Sequence, residues 1–333
     1  MKICLICAPG GHLTEGLKLI ESFKKNDEIF LVTYEENFEV NLTQIRQTYF
    51  LKNLIIKKVN SSKIVKKIYL MIFMVYLFIK EFFIILKEKP ELILSTGSEI
   101  ALPSFLVAKF FGIKTIFVES LTRINELSGT GKILIHLSDN FLVQWPELSL
   151  KHEKAIYKGN LLKYNEDFKN PSEGFILVTV GTASFERLVR MADNVSEILD
   201  DKILIQKGRT NYEPKNAEYF DFTKDLKEFE HLISKAKLVI SHAGVGTILN
   251  VLDNDTPLII VPRIGRNNEH IDDHQVELAN YLNKYSIAKV ANDEKDLLNC
   301  LNQLNSKQSV GTSKSIKSTK NSLIHYLEEF TTD

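Results

Sequence analysis

Short apolar runs alternate with longer stretches of mixed polarity along this chain, and glycine, proline or small polar residues bound most of the runs. Residues 2–7, 29–34, 91–95, 114–119 and 140–144 read as buried strands, with 54–59 as a further candidate. Residues 13–25 read as a helix, and so does the apolar run that ends near Phe111-Gly112. From 157 to 174 the rhythm lapses into polar, Gly- and Pro-containing sequence, then restarts with strands at 175–180, 202–206, 238–240 and 258–261. Strands that alternate with helices imply parallel βαβ units. The expected organisation is therefore a first domain at 1–160, a linker at 161–174, a second domain at 175–310 and a tail at 311–333. Within the tail, 316–330 reads as a helix able to pack back on the first domain. The fold class expected is α/β, two Rossmann-like domains whose parallel sheets face across a cleft, with ligands outside the carboxyl ends of the strands.

One segment departs from the amphipathic pattern. Residues 68–79 carry no charge, 82–86 are apolar again after Lys80-Glu81, and Lys57, Lys58, Lys63, Lys66 and Lys67 stand just before. The uninterrupted run is shorter than the roughly 20 residues that span a bilayer. An all-round apolar helix with a lysine collar suits the interface of an anionic membrane, so a membrane surface is expected as a partner through 63–86. A helix buried between layers is the other reading.

The chain has 333 residues, enough for two separate cores. Lysine plus arginine and aspartate plus glutamate number 42 each, so no global field draws it to nucleic acid. Cys4 and Cys7 lie inside the first apolar strand, and no second ligand pair follows, which disfavours a redox or metal pair. Met1-Lys2 opens without a charged leader and cleavage site, so no cleaved signal peptide is expected and a reducing cytosolic setting fits.

The candidate chemistry sits where strands end. Ser241-His242-Ala243-Gly244-Val245-Gly246-Thr247 joins an apolar strand to an apolar helix through small residues, an arrangement that points amide N–H groups at a phosphate. Val180-Gly181-Thr182 repeats the arrangement, and Arg263 with Asp273, His274 and Gln275 follows the next strand. His270, Asp273 and His274 have a metal-like spacing, yet nothing else in the segment completes a site, and no metal is expected. In the first half, Gly10-Gly11-His12 follows strand one, and the titration range of His12 suits a general base. Thr96-Gly97 and Glu119 also end strands, and Arg123 could pair with an acceptor diphosphate. Glu35 and Glu36 end strand two as a dinucleotide site would require, but the first loop lacks G-x-G-x-x-G spacing.

Taken together, these segments resemble the bacterial exopolysaccharide glycosyltransferases, glycosyltransferase family 28-like, whose two subunits match the eukaryotic two-subunit N-acetylglucosaminyltransferase of dolichol-linked oligosaccharide assembly. Here both subunits look fused, membrane-associated one first. The likeness rests on Pro9-Gly10-Gly11-His12, Ser95-Thr96-Gly97, Phe117-Val118-Glu119-Ser120, Ser128-Gly129-Thr130-Gly131-Lys132 and Val143-Gln144-Trp145. In the second half it rests on Val178-Thr179-Val180-Gly181-Thr182, the 240–247 segment, and Val261-Pro262-Arg263 with Glu269-His270 and Asp273-His274-Gln275.

The resemblance implies a GT-B fold and metal-independent inverting transfer, with no cofactor. A UDP-sugar donor would bind the C-terminal domain and a polyprenyl-diphosphate-linked acceptor the N-terminal one. His12, helped by Glu119, would take the proton of the acceptor hydroxyl. Gly181, Thr182, His242, Ala243, Gly244, Gly246, Thr247, Arg263, Asp273, His274 and Gln275 would hold the donor, and Gly10, Gly11, Thr96, Gly97 and Arg123 the acceptor. A related peptidoglycan transferase holds the ribose with a glutamate where this chain has Asn250, a weaker acceptor. The eukaryotic relatives imply N-acetylglucosamine; the bacterial ones equally imply galactose, glucose or glucuronate. The implied location is the cytoplasmic face of the cell membrane, peripheral or monotopic. Two rivals are a UDP-sugar epimerase of the same two-domain fold and a non-catalytic membrane-docking subunit.

Overall fold

The computed structural model describes residues 1–35, 44–54, 63–163, 174–270, 272–305 and 320–330. The chain divides into two compact units, Met1–Asn160 with Asn321–Asp333, and Leu161–Lys320. Leu161 and Leu162 are fully buried, so the polar linker expected from 161 does not begin there; 164–173 lie outside the described residues.

In the first unit, β1 (Lys2–Cys7), β2 (Glu28–Tyr34), β3 (Ile45–Leu51), β4 (Leu92–Gly97), β5 (Lys114–Val118), β6 (Asn140–Val143) and β7 (Ala155–Tyr157) form a parallel sheet in the order β3-β2-β1-β4-β5-β6-β7. Its helices are α1 (Gly11–Ile20), α2 (Lys63–Glu88), α3 (Ala101–Phe111), α4 (Gly131–Leu134) and α5 (Pro146–Lys151). A sheet covered on both faces needs apolar residues at successive positions, which is why Ile3 through Cys7 are all fully buried. β1 pairs with both β2 and β4, so strand order reverses beside it and a crevice opens at the carboxyl ends of β1 and β4.

The third strand lies at Ile45–Leu51, not at 54–59 as expected. As an edge strand it is half open to water and carries Arg46, Gln47 and Thr48 where a central strand would be apolar. Residues 55–59 lie outside the described residues, as do Lys57 and Lys58 of the expected collar.

α2 is two-faced. Phe73, Leu77, Glu81 and Ile85, spaced four apart, are buried against the first unit, and the Glu81 carboxylate accepts a 2.6 Å hydrogen bond from the Ser104 hydroxyl of α3. Val65, Ile68, Met71, Ile72, Val75, Ile79 and Phe83 are exposed. The expectation of a helix apolar all round fails at Glu81, which sits on the packed side. Residues 67–88 are long and apolar enough to cross a membrane by length and composition, with a mean hydropathy of 2.2 over an 18-residue window, although the charge-free run within them is shorter.

The second unit repeats the plan with β8 (Ile176–Thr179), β9 (Ile203–Gln206), β10 (Glu218–Phe220), β11 (Leu238–Ser241), β12 (Leu258–Ile260) and β13 (Lys289–Val290), ordered β10-β9-β8-β11-β12-β13 and parallel throughout. Its helices are α6 (Glu186–Ser196), α7 (Leu226–Lys235), α8 (Val245–Asp253), α9 (His274–Lys284) and α10 (Glu294–Asn305). Order reverses between β8 and β11. The last helix, α11 (Lys320–Phe330), belongs to the first unit: Leu323 and Leu327 are fully buried, and Tyr326 donates a 2.9 Å hydrogen bond to Asn140. Residues 316–319 of the expected tail helix lie outside the described residues.

Cys4 and Cys7 are free thiols in the centre of the sheet, and burial pushes the Cys7 thiol up to about 12. In the folded protein at pH 8 both should react with a thiol reagent only at the rate of global unfolding. Rapid labelling of the native state would contradict the packing described for β1.

Candidate active site

Each unit gathers its chemistry at the carboxyl edge of its sheet. In the first, the loop after β1 turns through Gly10 at a φ of +82°, and α1 starts at Gly11, which places His12 in its first turn. His12 and Thr96, at the end of β4, are tied reciprocally. The ring Nδ1 lies 2.9 Å from the Thr96 carbonyl, and the Thr96 hydroxyl donates 2.6 Å to the His12 carbonyl. A carbonyl can only accept, so Nδ1 carries the proton and Nε2 keeps its lone pair. Gly97, at a φ of +129°, lies under the ring: a Cβ there would fall 2.8 Å from His12 Cε1. Thr96 and Gly97 thus lie against His12, which follows Gly10-Gly11 in the chain. Burial holds the His12 pKa below the ordinary histidine value; the Thr96 bond opposes this, and the nearby Arg123 charge reinforces it.

The carboxylate beside His12 is Glu15, whose Oε2 lies 3.9 Å from Nδ1. It is fully buried one turn along α1. It accepts hydrogen bonds from the Leu121 amide (2.7 Å), the Gln144 side chain (2.8 Å) and the Ser120 hydroxyl (3.2 Å). Burial pushes its pKa up to about 8 against those bonds. Glu119 does not have the role expected of it. Its Oε1 accepts from the Ser120 amide at 3.0 Å, and its Oε2 from the Ser128 amide and hydroxyl at 2.9 and 3.1 Å. Both oxygens are spent folding the 119–131 loop back on its strand. Gly131 is glycine because a side chain there would collide with that carboxylate. A lone buried Glu on a helix gave the sequence reading no signal for Glu15; only the α1–β5–β6 packing reveals it.

In the second unit, Gly181 turns the chain after β8 at a φ of +70°, and Gly244 caps α8, with Gly246 and Thr247 in the first turn. Amides in that turn have no partner within the helix. His242 is wedged between the two glycine turns. A Cβ on Gly181 would fall 2.7 Å from its Cε1, and one on Gly244 would collide with its Nε2. Burial, then the charge of Arg263, depress its pKa to about 3, so this imidazole is neutral and shapes the two loops. Ala243 and Asn250 are buried beside it in sequence, on the turn and on α8.

Arg263, expected on the donor, is instead buried beneath the first glycine loop. Its Nη2 donates to the Val180 carbonyl at 2.8 Å and the Ala183 carbonyl at 3.4 Å, and its guanidinium stacks 5.0 Å from the Phe185 ring centre. Burial lowers its pKa to about 10. Gln275 accepts from the Arg263 amide at 3.2 Å and Asp273 from the Gly265 amide at 2.7 Å, so these two side chains also hold the 263–265 backbone. Arg187, which the pattern did not single out, anchors the same loop through a two-pronged bridge to Glu269 (2.7 and 2.9 Å) and a bond to the Pro262 carbonyl. The metal-like spacing closes on Asp272 rather than Asp273: His270, Asp272 and His274 each offer an atom within 4.8 Å of the others. There Asp272 accepts from His270 at 3.1 Å and pairs with His274.

Comparison with known proteins gives each half its own match. Residues 3–161 match the model "Oligosaccharide biosynthesis protein Alg14 like", and 175–327 match "Glycosyltransferase family 28 C-terminal domain". The human "UDP-N-acetylglucosamine transferase subunit ALG14" is 30% identical over 183 residues, 49% of this chain and 83% of that protein. The "UDP-N-acetylglucosamine--N-acetylmuramyl-(pentapeptide) pyrophosphoryl-undecaprenol N-acetylglucosamine transferase" of Pelagibacter ubique is 29% identical over 302 residues, 80% of this chain and 82% of that protein. Among solved structures, the UDP-GlcNAc 2-epimerase of Neisseria meningitidis superposes with a TM-score of 0.66 at 13% identity, covering all of both chains. The fold is GT-B, as expected, and epimerases share it.

Nitrogen NMR of the two imidazoles tests the assignments. His12 should show the Nδ1-protonated tautomer with a midpoint below 6.5, the ordinary histidine value. His242 should remain neutral at pH 5; a protonated His242 there would contradict the burial described.

Proposed function

We infer the function from one premise: the chain belongs to the Alg14-like oligosaccharide biosynthesis family and carries a glycosyltransferase family 28 C-terminal domain in the same polypeptide. It is a UDP-sugar glycosyltransferase that moves N-acetylglucosamine, the sugar in the names of its human and Pelagibacter ubique relatives, to a lipid-linked acceptor, as the name of the second describes. Sequence similarity to a transferase over 80% of this chain and 82% of that protein sets this above the epimerase reading, which has only the fold in its favour at 13% identity.

The observation that carries the mechanism is the tautomer of His12, fixed by the Thr96 carbonyl with Nε2 as acceptor. Nε2 takes the proton of the acceptor hydroxyl as that oxygen bonds to C1 of the sugar. The C1–O bond to the diphosphate breaks on the opposite face, UDP leaves with the electron pair, and the anomeric configuration inverts. Amides of the Gly181-Thr182 and Gly244–Thr247 turns, aided by the α8 dipole, stabilise the charge that builds on the departing diphosphate. No metal is needed in this scheme. Burial keeps the base neutral, the form that can accept a proton; the Arg123 charge acts in the same direction and the Glu99 charge against it.

The acceptor is a polyprenyl-diphosphate-linked sugar, reached from the cytoplasmic face of the membrane. The exposed apolar side of α2 seats the protein on that membrane as a peripheral or monotopic enzyme, while the Phe73-Leu77-Ile85 stripe keeps the helix on its own sheet.

His12→Ala should lower kcat by roughly a hundredfold to ten-thousandfold, the range of a lost general base, and leave UDP affinity unchanged. In the parent enzyme the acid limb of kcat/KM should fall below pH 6.5, because a depressed pKa keeps the ring neutral to lower pH. Unchanged turnover in His12→Ala, or loss of activity on chelating divalent metals, would refute this scheme.

Replacing Met71, Val75 and Ile79 together by Asp should abolish binding to anionic vesicles in a flotation assay, with UDP binding intact. Undiminished flotation would remove α2 as the membrane contact.

A further inference from the structure

A diphosphate is strongly anionic, and in a metal-free scheme the second unit has to hold it with little charge. His242 is neutral, and Arg263 is buried on two carbonyls. Arg187 is committed to Glu269, Pro262 and Asn292, and Lys207 to Asp221 and the Thr210 carbonyl. None of these four side chains leaves a free positive charge at the glycine turns.

Arg209 stands apart. It is exposed, and among the described residues it makes no hydrogen bond or ion pair. Its backbone is nevertheless pinned to the first glycine loop on both sides. On one side, Gly208 adopts a φ of +55° with its Cα against the Gly181 carbonyl, where a Cβ would come within 2.6 Å. On the other, the Thr210 hydroxyl accepts a 2.9 Å hydrogen bond from the Phe185 amide. Gln206, one residue before Lys207, donates to the Gly181 carbonyl at 3.0 Å and accepts from Thr179 at 2.6 Å. A fixed backbone with an uncommitted guanidinium, laced to a phosphate-type glycine turn, is the arrangement an anion-binding arginine needs. The fork of two N–H groups matches two oxygens of one phosphate, which an ammonium cannot do. Among the described residues of this unit two other guanidiniums are exposed: Arg190 is paired with Glu186 on its own helix, and Arg266 lies on a loop whose neighbours bond to Glu269 and Asp273, not to 181–185.

We propose that Arg209 is a diphosphate-binding residue at the carboxyl edge of the second sheet. The assignment rests on the transferase reading above. Its ligand chemistry, a diphosphate ester, occurs in both substrates: in the nucleoside diphosphate of the donor and in the lipid-linked acceptor.

The test uses the full-length protein and its Arg209→Gln, Arg209→Lys and Arg266→Gln variants. Affinities for UDP and uridine are measured by calorimetry, and KM values for UDP-N-acetylglucosamine and a polyprenyl-diphosphate-linked acceptor by initial rates. Losing a charged hydrogen-bond pair should weaken the diphosphate ligand roughly ten- to a hundredfold. A loss of that size for UDP in Arg209→Gln, with uridine unaffected and Arg209→Lys only partly restored, assigns the donor. The same loss confined to the KM of the lipid acceptor assigns the acceptor. Unchanged values in both arms, or an equal loss in Arg266→Gln, overturn the proposal, the second because the effect would then be a bulk field. Failure of the parent protein to bind UDP at all would overturn the transferase reading itself. Normal parent binding with an unaffected Arg209→Gln overturns this inference alone.

Discussion

A polar group sealed from water has to find a partner, and that constraint organises both sheet edges. Beneath the first edge Glu15 collects an amide, a hydroxyl and a side-chain amide from the loops after β5 and β6, and Gln144 ties the same two loops together. Beneath the second, Thr179, Gln206 and Arg263 do the corresponding work for the Gly181–Ala183 turn. Each of these side chains would be costly to leave unpaired, by about 1–3 kcal/mol or more when charged. Loops that face solvent are therefore held by buried groups one layer below them. The parts of the molecule that must approach a ligand stay open because these deeper side chains, not the loop surface, hold the loop backbone.

The two central histidines show how one residue type serves opposite ends. His242 is enclosed on both sides by glycine turns and kept neutral by burial, so it is a spacer that sets the distance between two amide-bearing loops. His12 keeps a third of its side chain exposed, and only one of its nitrogens is taken. The carbonyl that takes it also decides which nitrogen can act as a base. Glu119 and Arg263 turn inward, onto the Ser120 and Ser128 amides and the Val180 and Ala183 carbonyls.

α2 is under a different constraint. Its buried stripe must complement the sheet beneath, whereas its outer side has no such partner among the described residues. Large apolar side chains left in water forgo roughly 1.5–3 kcal/mol each. A helix that exposes ten of them, and is fixed to its own unit by Phe73, Leu77 and Ile85, supplies the apolar surface on which the proposed membrane contact rests.

The alternation of apolar runs with glycine-bounded turns was enough to determine two parallel α/β units, because a strand buried on both faces must be apolar at every position. It also marked His12, Thr96-Gly97 and the 241–247 turn, because a glycine at a strand end answers to local backbone geometry. The edge strand Ile45–Leu51 escaped notice, since half-exposed edges lose the apolar signature. Glu15, Arg187 and the inward turns of Glu119 and Arg263 depend on partners 105, 82, 9 and 83 residues away. No local pattern says which way such a charged side chain faces. Only packing does, because whether a carboxylate or guanidinium meets substrate or backbone is settled by what fills the space around it.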